Sequence, residues 1–237
     1  QIHDTFRCTL TLMEQEVEFQ GGFHLSFYLA NLLGKVECSE NDLEKSSKLL
    51  RVLTPVAKLF TAKTNLQIQS EILESFGGVG YLEDSGIPKW LRDSQTLSIW
   101  EGTTNVLSLD VLRSISNENT YPVWKDEIFS LLENISNENL SKGKLNVSES
   151  LTQLNNFVGN FKSFDENYIE SQARNFAFSI AKITNASLML GFAQNYIGDR
   201  KEFYQTTALS YCNKQLYCIP NNDFDLWKTA QNFLFNE

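Results

Sequence analysis

Apolar side chains recur along this chain every three or four residues, the interval that gathers them on one face of an α-helix. Between residues 5 and 33, Phe6, Leu10, Met13 and Val17 follow that spacing. Phe23, Phe27 and Ala30 resume it beyond Gly21-Gly22. The glycine pair therefore reads as a kink or a close helix crossing inside one long helix. A polar turn spans 34–42, where Ser39-Glu40-Asn41-Asp42 resembles a capping box with Asp in the acidic position. A second long helix is predicted over 42–76, through Leu43, Leu49, Leu53, Val56, Phe60, Leu66, Ile68, Ile72 and Phe76. Pro55 predicts a kink in it near residues 51–55. Two long helices joined by a short turn pack antiparallel, as in a bundle.

Further along, Gly77 to Gly86 is a glycine-rich connection, and Ile87-Pro88 opens a helix to about Thr96. Residues 97–102 break the pattern. Thr103 or Thr104 can cap a helix through Val106, Leu107, Leu109, Val111 and Leu112. The polar run Ser114–Thr120 suggests a boundary, giving units 1–114 and 115–237. In the second unit, helices are predicted from Pro122 through Ile135, over 147–158, 168–197, 200–217 and 223–235. A loop at 137–144 and a turn at Ile219–Asp223 separate some of these. Nothing predicts a sheet. The expected fold is all-α: an antiparallel helical bundle with an additional C-terminal helical subdomain.

Composition narrows the partners. The 29 acidic residues outnumber 20 basic ones, for a net charge of −9, which argues against a general nucleic-acid surface. Residues 115–237 repeat the imbalance, with ten Lys or Arg against fourteen Asp or Glu. Cys8, Cys38, Cys212 and Cys218 form no Cys-x-x-Cys pair, so they read as free thiols in a reducing compartment. The sequons at Asn134, Asn139, Asn146 and Asn185 need secretion to matter, and no signal peptide is visible. An intracellular location is expected, its organelle open. No apolar run is read as a membrane span. His3 and His24 sit in no ligand cluster, so no metal site is predicted. Glu14, Glu16 and Glu18 read as a solvent-facing charge run.

Candidate chemistry concentrates between Phe76 and Val106. Gly77, Gly78 and Gly80 can take positive φ or admit a close neighbour, and a tight turn explains one or two of them more easily than three. Glu101-Gly102-Thr103 sets a carboxylate, backbone N–H groups and a hydroxyl at a helix mouth. A carboxylate so placed is ordinarily a solvated or capping acid; it can also serve as a general base. Thr103 can be a plain N-cap. Trp100 is core or a pocket wall.

The run Glu-Ser-Phe-Gly-Gly-Val-Gly-Tyr at 74–81, then Arg92-Asp93, then Ile99-Trp100-Glu101-Gly102-Thr103, resembles the C-terminal helical domain of the acyl-CoA dehydrogenases. With Leu53-Thr54-Pro55-Val56-Ala57-Lys58, Asn105-Val106 and Leu109–Arg113, it looks closest to the branch of the bacterial alkylation-response flavoproteins. The resemblance implies FAD-dependent α,β-dehydrogenation of an acyl-CoA thioester. Glu101 would take the α-proton while hydride passes to flavin N5, and its own N–H would help polarise the thioester oxygen. Thr103, Gly77, Gly78 and Gly80 would meet the cofactor. So would Glu74, although many members carry glutamine there.

By the same resemblance, Trp100 and Gly102 would line the substrate pocket, Trp100 standing where shorter-chain enzymes carry tyrosine. Arg92 and Asp93 would support the Glu101 loop. A homodimer or homotetramer is implied. The N-terminal helical and middle β-domains of the family are not in this sequence, so the fragment alone is expected to lack FAD and activity. Two other readings stay open. One is a non-enzymatic member whose tail binds a protein or, less readily, nucleic acid; the other is a helical scaffold that kept the motif for packing. Glu101 favours the enzyme, since packing alone would tolerate glutamine or alanine.

Overall fold

The structure is a computed structural model that describes residues 6–38, 42–220 and the isolated positions 228, 229 and 233. Among the described residues every regular element is helical. The expected 39–42 capping box and the 223–235 helix fall largely outside them, as do His3 and the Cys8 side chain.

Two long helices form the base of the bundle, α1 (Phe6–Glu37) and α2 (Leu43–Ser75). They pack along much of their length, and the short connection between them makes them antiparallel. Pro55 lies inside α2 without ending it, with its ring buried. Gly21-Gly22 does not break α1 either. The pair is a crossing point: a Cβ on Gly21 would meet the Tyr211 ring at 2.6 Å and Asn185 at 3.2 Å. Asn185 is wholly buried. Its amide nitrogen can face the Gly21 and Ala181 carbonyls while its oxygen accepts from the Tyr211 hydroxyl. That sequon is therefore core, not a glycan site.

Next come the single turn α3 (Gly78–Tyr81), a 3-10 turn at Glu83–Ser85 and α4 (Ile87–Leu97). Helix α5 (Thr104–Glu118) runs straight through the polar stretch that reads as a boundary. Asn119 alone, at φ 51°, joins it to α6 (Thr120–Glu133). The hydroxyls of that stretch are used locally: buried Ser114 bonds the Val111 carbonyl at 2.8 Å and lies 3.3 Å from Thr120 Oγ1.

Helix α7 (Ser141–Gly159) starts earlier than 147 because Gly143 is a packing position rather than a loop residue. A Cβ there would press on Leu190, Leu209 and Cys212. The predicted 168–197 helix divides at buried Gln172 into α8 (Glu166–Ser171) and α9 (Ala173–Asn195). The last described helix, α10 (Lys201–Cys212), ends sooner than expected.

Helix α9 is long and apolar enough to cross a membrane, but 72% of the relevant stretch is buried by its neighbours. It contacts α1, α2, α5, α6, α7, α8 and α10, so it is the axis of the fold. Trp124 on α6 is fully buried against it and donates its indole N–H to Thr184 Oγ1 at 2.9 Å. Cys38, Cys212 and Cys218 are free thiols. Glu18 departs from the solvent-facing run: it accepts a 2.6 Å bond from Lys214 beyond α10.

Candidate functional site

The turn between α4 and α5 is built by successive closures. Ile99 and Trp100 N–H groups both return to the Thr96 carbonyl, at 3.0 and 3.1 Å, and Gln95 donates its side-chain amide to buried Ser98 at 2.8 Å. The backbone then passes through two consecutive left-handed residues, Glu101 at φ 55° and Gly102 at φ 102°. For Gly102 this is free, but a carboxylate-bearing residue in that region costs on the order of 1 kcal/mol or more.

Lys58 on α2 offsets that strain. Its ammonium donates to the Trp100 carbonyl at 2.6 Å and also to the Gly102 carbonyl, bracketing Glu101 from both sides. Lys58 closes the Leu53–Lys58 motif, and nothing in that motif gives it this role. A single lysine on an amphipathic helix carries no signal that it reaches a turn more than forty positions away.

Held this way, Glu101 is exposed and lines a groove of about 660 Å³. Trp100 is 71% exposed and is groove wall rather than core. Glu18, Phe19, Gly22, Phe23 and Ser26 of α1 line one side, with Lys58, Thr61, Ala62, Asn65 and Ile68 of α2 facing them. The volume suits a small-molecule site, and most of the lining is apolar. A smaller hollow adjoins it across Lys58 and Glu101. There Arg51 grips Asp110 with two 2.9 Å bonds and Glu118 with one of 2.8 Å. The guanidinium holds the Asp110 carboxyl below its ordinary value. This pairing ties α2 to α5 just beyond the Glu101 turn.

Thr103 occupies the N-cap position of α5 with extended geometry, yet its side chain makes no capping bond. The hydroxyl and the first N–H groups of α5 are open together, a combination that favours an acceptor or an anion. Trp100, Glu101, Gly102 and Thr103 thus form one constellation. The glycine strip is elsewhere: it precedes α4, while Glu101 follows it, and α4 has eleven residues or about 16 Å of length.

Within the strip the glycines differ. Gly77 needs its side chain absent because it sits at φ 59°, ψ −142°, closing α2 through a 2.8 Å bond to the Glu74 carbonyl. Gly80 needs it absent because a Cβ would lie 2.0 Å from the Leu73 carbonyl oxygen. Neither reason applies to Gly78, which is exposed with nothing near a would-be Cβ. Glu74 itself is exposed.

The support expected of Arg92 and Asp93 goes to other partners. Arg92 forms a two-bond pair with Glu83, at 2.7 and 2.9 Å, and Asp93 pairs with Lys89 at 3.4 Å. Arg92 braces the turn before α4, the Asp93 pair lies within α4, and the bonds that reach the Glu101 turn come from Lys58. Among the described residues no cluster of His, Cys, Asp and Glu could hold a metal.

Two family models match consecutive parts of the chain. "Acyl-CoA dehydrogenase, C-terminal domain" covers residues 35–116, and "Acyl-CoA dehydrogenase 11 C-terminal domain-like" covers 119–234. Among curated proteins, "Acyl-CoA dehydrogenase family member 11" of Caenorhabditis elegans is 41% identical over 216 residues. That match takes in 87% of this chain and 34% of the relative. "Putative acyl-CoA dehydrogenase AidB" of Escherichia coli strain K12 is 38% identical over only 74 residues, 31% of this chain and 14% of that protein. The crystal structure of C. elegans ACDH-11 in complex with C11-CoA superposes with TM-score 0.90 at 34% identity. It covers 99% of this chain and 41% of that one.

The chain therefore spans about a third of the length of the longest of these curated matches. These findings overturn the expected kinship with the bacterial alkylation-response branch. Residues 35–116, which include the motif-bearing stretch, match only the general C-terminal-domain description, so they do not separate branches. The tail does, and it matches the family-member-11 type.

Proposed function

Because this chain belongs to the acyl-CoA dehydrogenase C-terminal-domain family, we propose that it is the base-bearing part of an FAD-dependent enzyme that dehydrogenates an acyl-CoA thioester at the α,β position. One observation carries the reading. Glu101 is held in a left-handed conformation by Lys58 and lines a largely apolar groove. An α-proton beside a thioester is weakly acidic, so its removal needs a fixed carboxylate in a site that substrate can dry. The C11-CoA named with the C. elegans structure supports an acyl chain as the groove's occupant. Trp100 and Gly102 would flank that chain near its reacting carbons.

The residues present suit one edge of a flavin. The Thr103 hydroxyl and the uncapped start of α5 would hold acceptor atoms of the cofactor, and the bare backbone at Gly77-Gly78 would admit its diphosphate part. Glu74 and Gly80 would shape that strip. When bound, the flavin supplies the hydride acceptor. Residues 1–114 would form the unit carrying the base, and 115–237 a unit packed against it. Exposed apolar residues such as Phe27 and Val106, at 62% and 56%, suit burial in a homodimer or homotetramer, or by the rest of a longer chain.

The test uses the full-length protein that carries this chain, purified with flavin, as wild type and Glu101→Gln. Under anaerobic addition of long-chain acyl-CoAs, bleaching of the flavin band should slow about 100-fold or more in the variant while flavin stays bound. Flavin-loaded wild type that no acyl-CoA bleaches would refute the reading and shift the role to binding by 115–237.

A further inference from the structure

The lining of the groove is mostly apolar, and several of its polar residues are satisfied by the protein itself. Ser26 donates to the Gly22 carbonyl and Thr61 to the Ala57 carbonyl, each at 2.8 Å, while Lys58 is occupied by the Glu101 turn. Thr64 and Asn65, adjacent on α2, are different. Neither side chain has a hydrogen-bond partner in the protein. A bond back to the carbonyl four residues earlier, such as Thr61 makes, is absent at Thr64. Thr64 is 6% exposed, yet no shielded side-chain N or O atom is left unpaired among the described residues. Its hydroxyl therefore opens onto the groove that the residue lines.

Across the groove stands Glu18. A Cβ on Gly22 would lie 3.4 Å from Thr61 Cγ2, and the antiparallel course of α1 then sets Glu18 beside Asn65. One Glu18 oxygen accepts from Lys214 at 2.6 Å, and the other has no bond. Lys58 precedes Asn65 by about two turns of α2, so this cluster lies about 10 Å along the groove from the Glu101 end. A plain hydrocarbon passing there covers three polar groups and returns no hydrogen bond. A hydroxyl at that point can donate to the Glu18 carboxylate and accept from the Asn65 amide or the Thr64 hydroxyl. A carboxylate would instead face Glu18 with like charge.

We propose that Thr64 and Asn65, with Glu18 opposite, form a hydrogen-bonding subsite for a hydroxyl carried on the acyl chain far from its reacting carbons, so that the groove selects terminally hydroxylated acyl-CoAs over plain ones. This rests on the groove being an acyl-chain site.

Calorimetry on the full-length protein compares each saturated acyl-CoA with its ω-hydroxy counterpart of the same length, across a length series. It is run for wild type, Thr64→Val, Asn65→Leu and the double variant. In wild type the hydroxyl should tighten Kd about fivefold at the length that sets it about 10 Å from the thioester, and weaken it at other lengths. Each single variant should lose part of that preference and the double variant all of it, while plain chains gain affinity. The preference is a ratio within one preparation, so partial misfolding of a variant cancels from it. Equal or weaker binding of the hydroxylated chain at every length overturns the subsite and leaves the groove assignment intact. So does a double variant that keeps the wild-type preference. Wild type that binds no acyl-CoA of either kind removes the groove assignment, and the subsite with it.

Discussion

Alanine at Gly21 and, separately, at Gly22 applies one local gain against two different neighbours. Both positions lie inside α1, where replacing glycine by alanine is worth about 1 kcal/mol in helix propensity. At Gly22 the new methyl would lie 3.4 Å from Thr61 Cγ2, an ordinary contact, so the gain should survive. At Gly21 it would lie 2.6 Å from Tyr211 Cε2 and 3.1 Å from Cζ. The tyrosine cannot swing aside easily, because it is 1% exposed and hydrogen-bonded to fully buried Asn185.

Overpacking of that kind costs about 1–3 kcal/mol, so Gly21→Ala should fall between neutral and about 2 kcal/mol destabilising. Thermal unfolding followed by far-UV circular dichroism separates the two. For a chain of this size each kcal/mol moves the midpoint by about 2–4 °C, placing Gly22→Ala several degrees above Gly21→Ala. Superimposed melting curves, or Gly21→Ala the more stable, would show that α1 does not cross the C-terminal helices closely at this point.

Two further predictions follow from the site and the core. Lys58→Met keeps the side chain's stem and removes both bonds to the Glu101 turn; acyl-CoA Kd should change little while the flavin-bleaching rate drops about tenfold or more, as expected when roughly 1.5–3 kcal/mol of charge-assisted bonding is lost from a strained turn. Equal bleaching rates would show that the turn holds itself. Burial pushes the Cys212 thiol up from 9.0 to about 12. The unfolded chain therefore ionises it first, and the stability contributed by the neutral thiol, complete below 9.0, is lost as pH rises toward about 12. Urea unfolding compared at about pH 8 and about pH 10 should show a fall that Cys212→Ala reduces, while exposed Cys38 reacts with thiol reagents in the native state at both.

Much of the bundle was legible because helical spacing is a local property. Residues 6–37 and 43–75 announce themselves by apolar periodicity, and Ile87-Pro88 by its turn chemistry. Misreadings came where a local signal served a distant contact. Gly143 looked like a loop and is a helix contact. The polar run Ser114–Thr120, which suggests a boundary, is a different case: α5 carries it to Glu118 with Ser114 bonded inside that helix, and the two family matches end and begin there, at residues 116 and 119. Branch kinship is not legible in the motif-bearing stretch, which matches the general family description, while residues 119–234 match the family-member-11 type.

The candidate residues Glu101, Thr103 and the glycines before α4 were legible in the sequence alone, because their types and order are written in one continuous stretch. Tertiary structure decided what surrounds them. It brought Lys58 across to bracket Glu101, set Phe19 and Phe23 beside Trp100, and placed Lys214 on Glu18. The physical reason is separation along the chain. Side-chain spacing within a helix specifies which face is apolar, while only the packing of one helix on another specifies which residue meets that face.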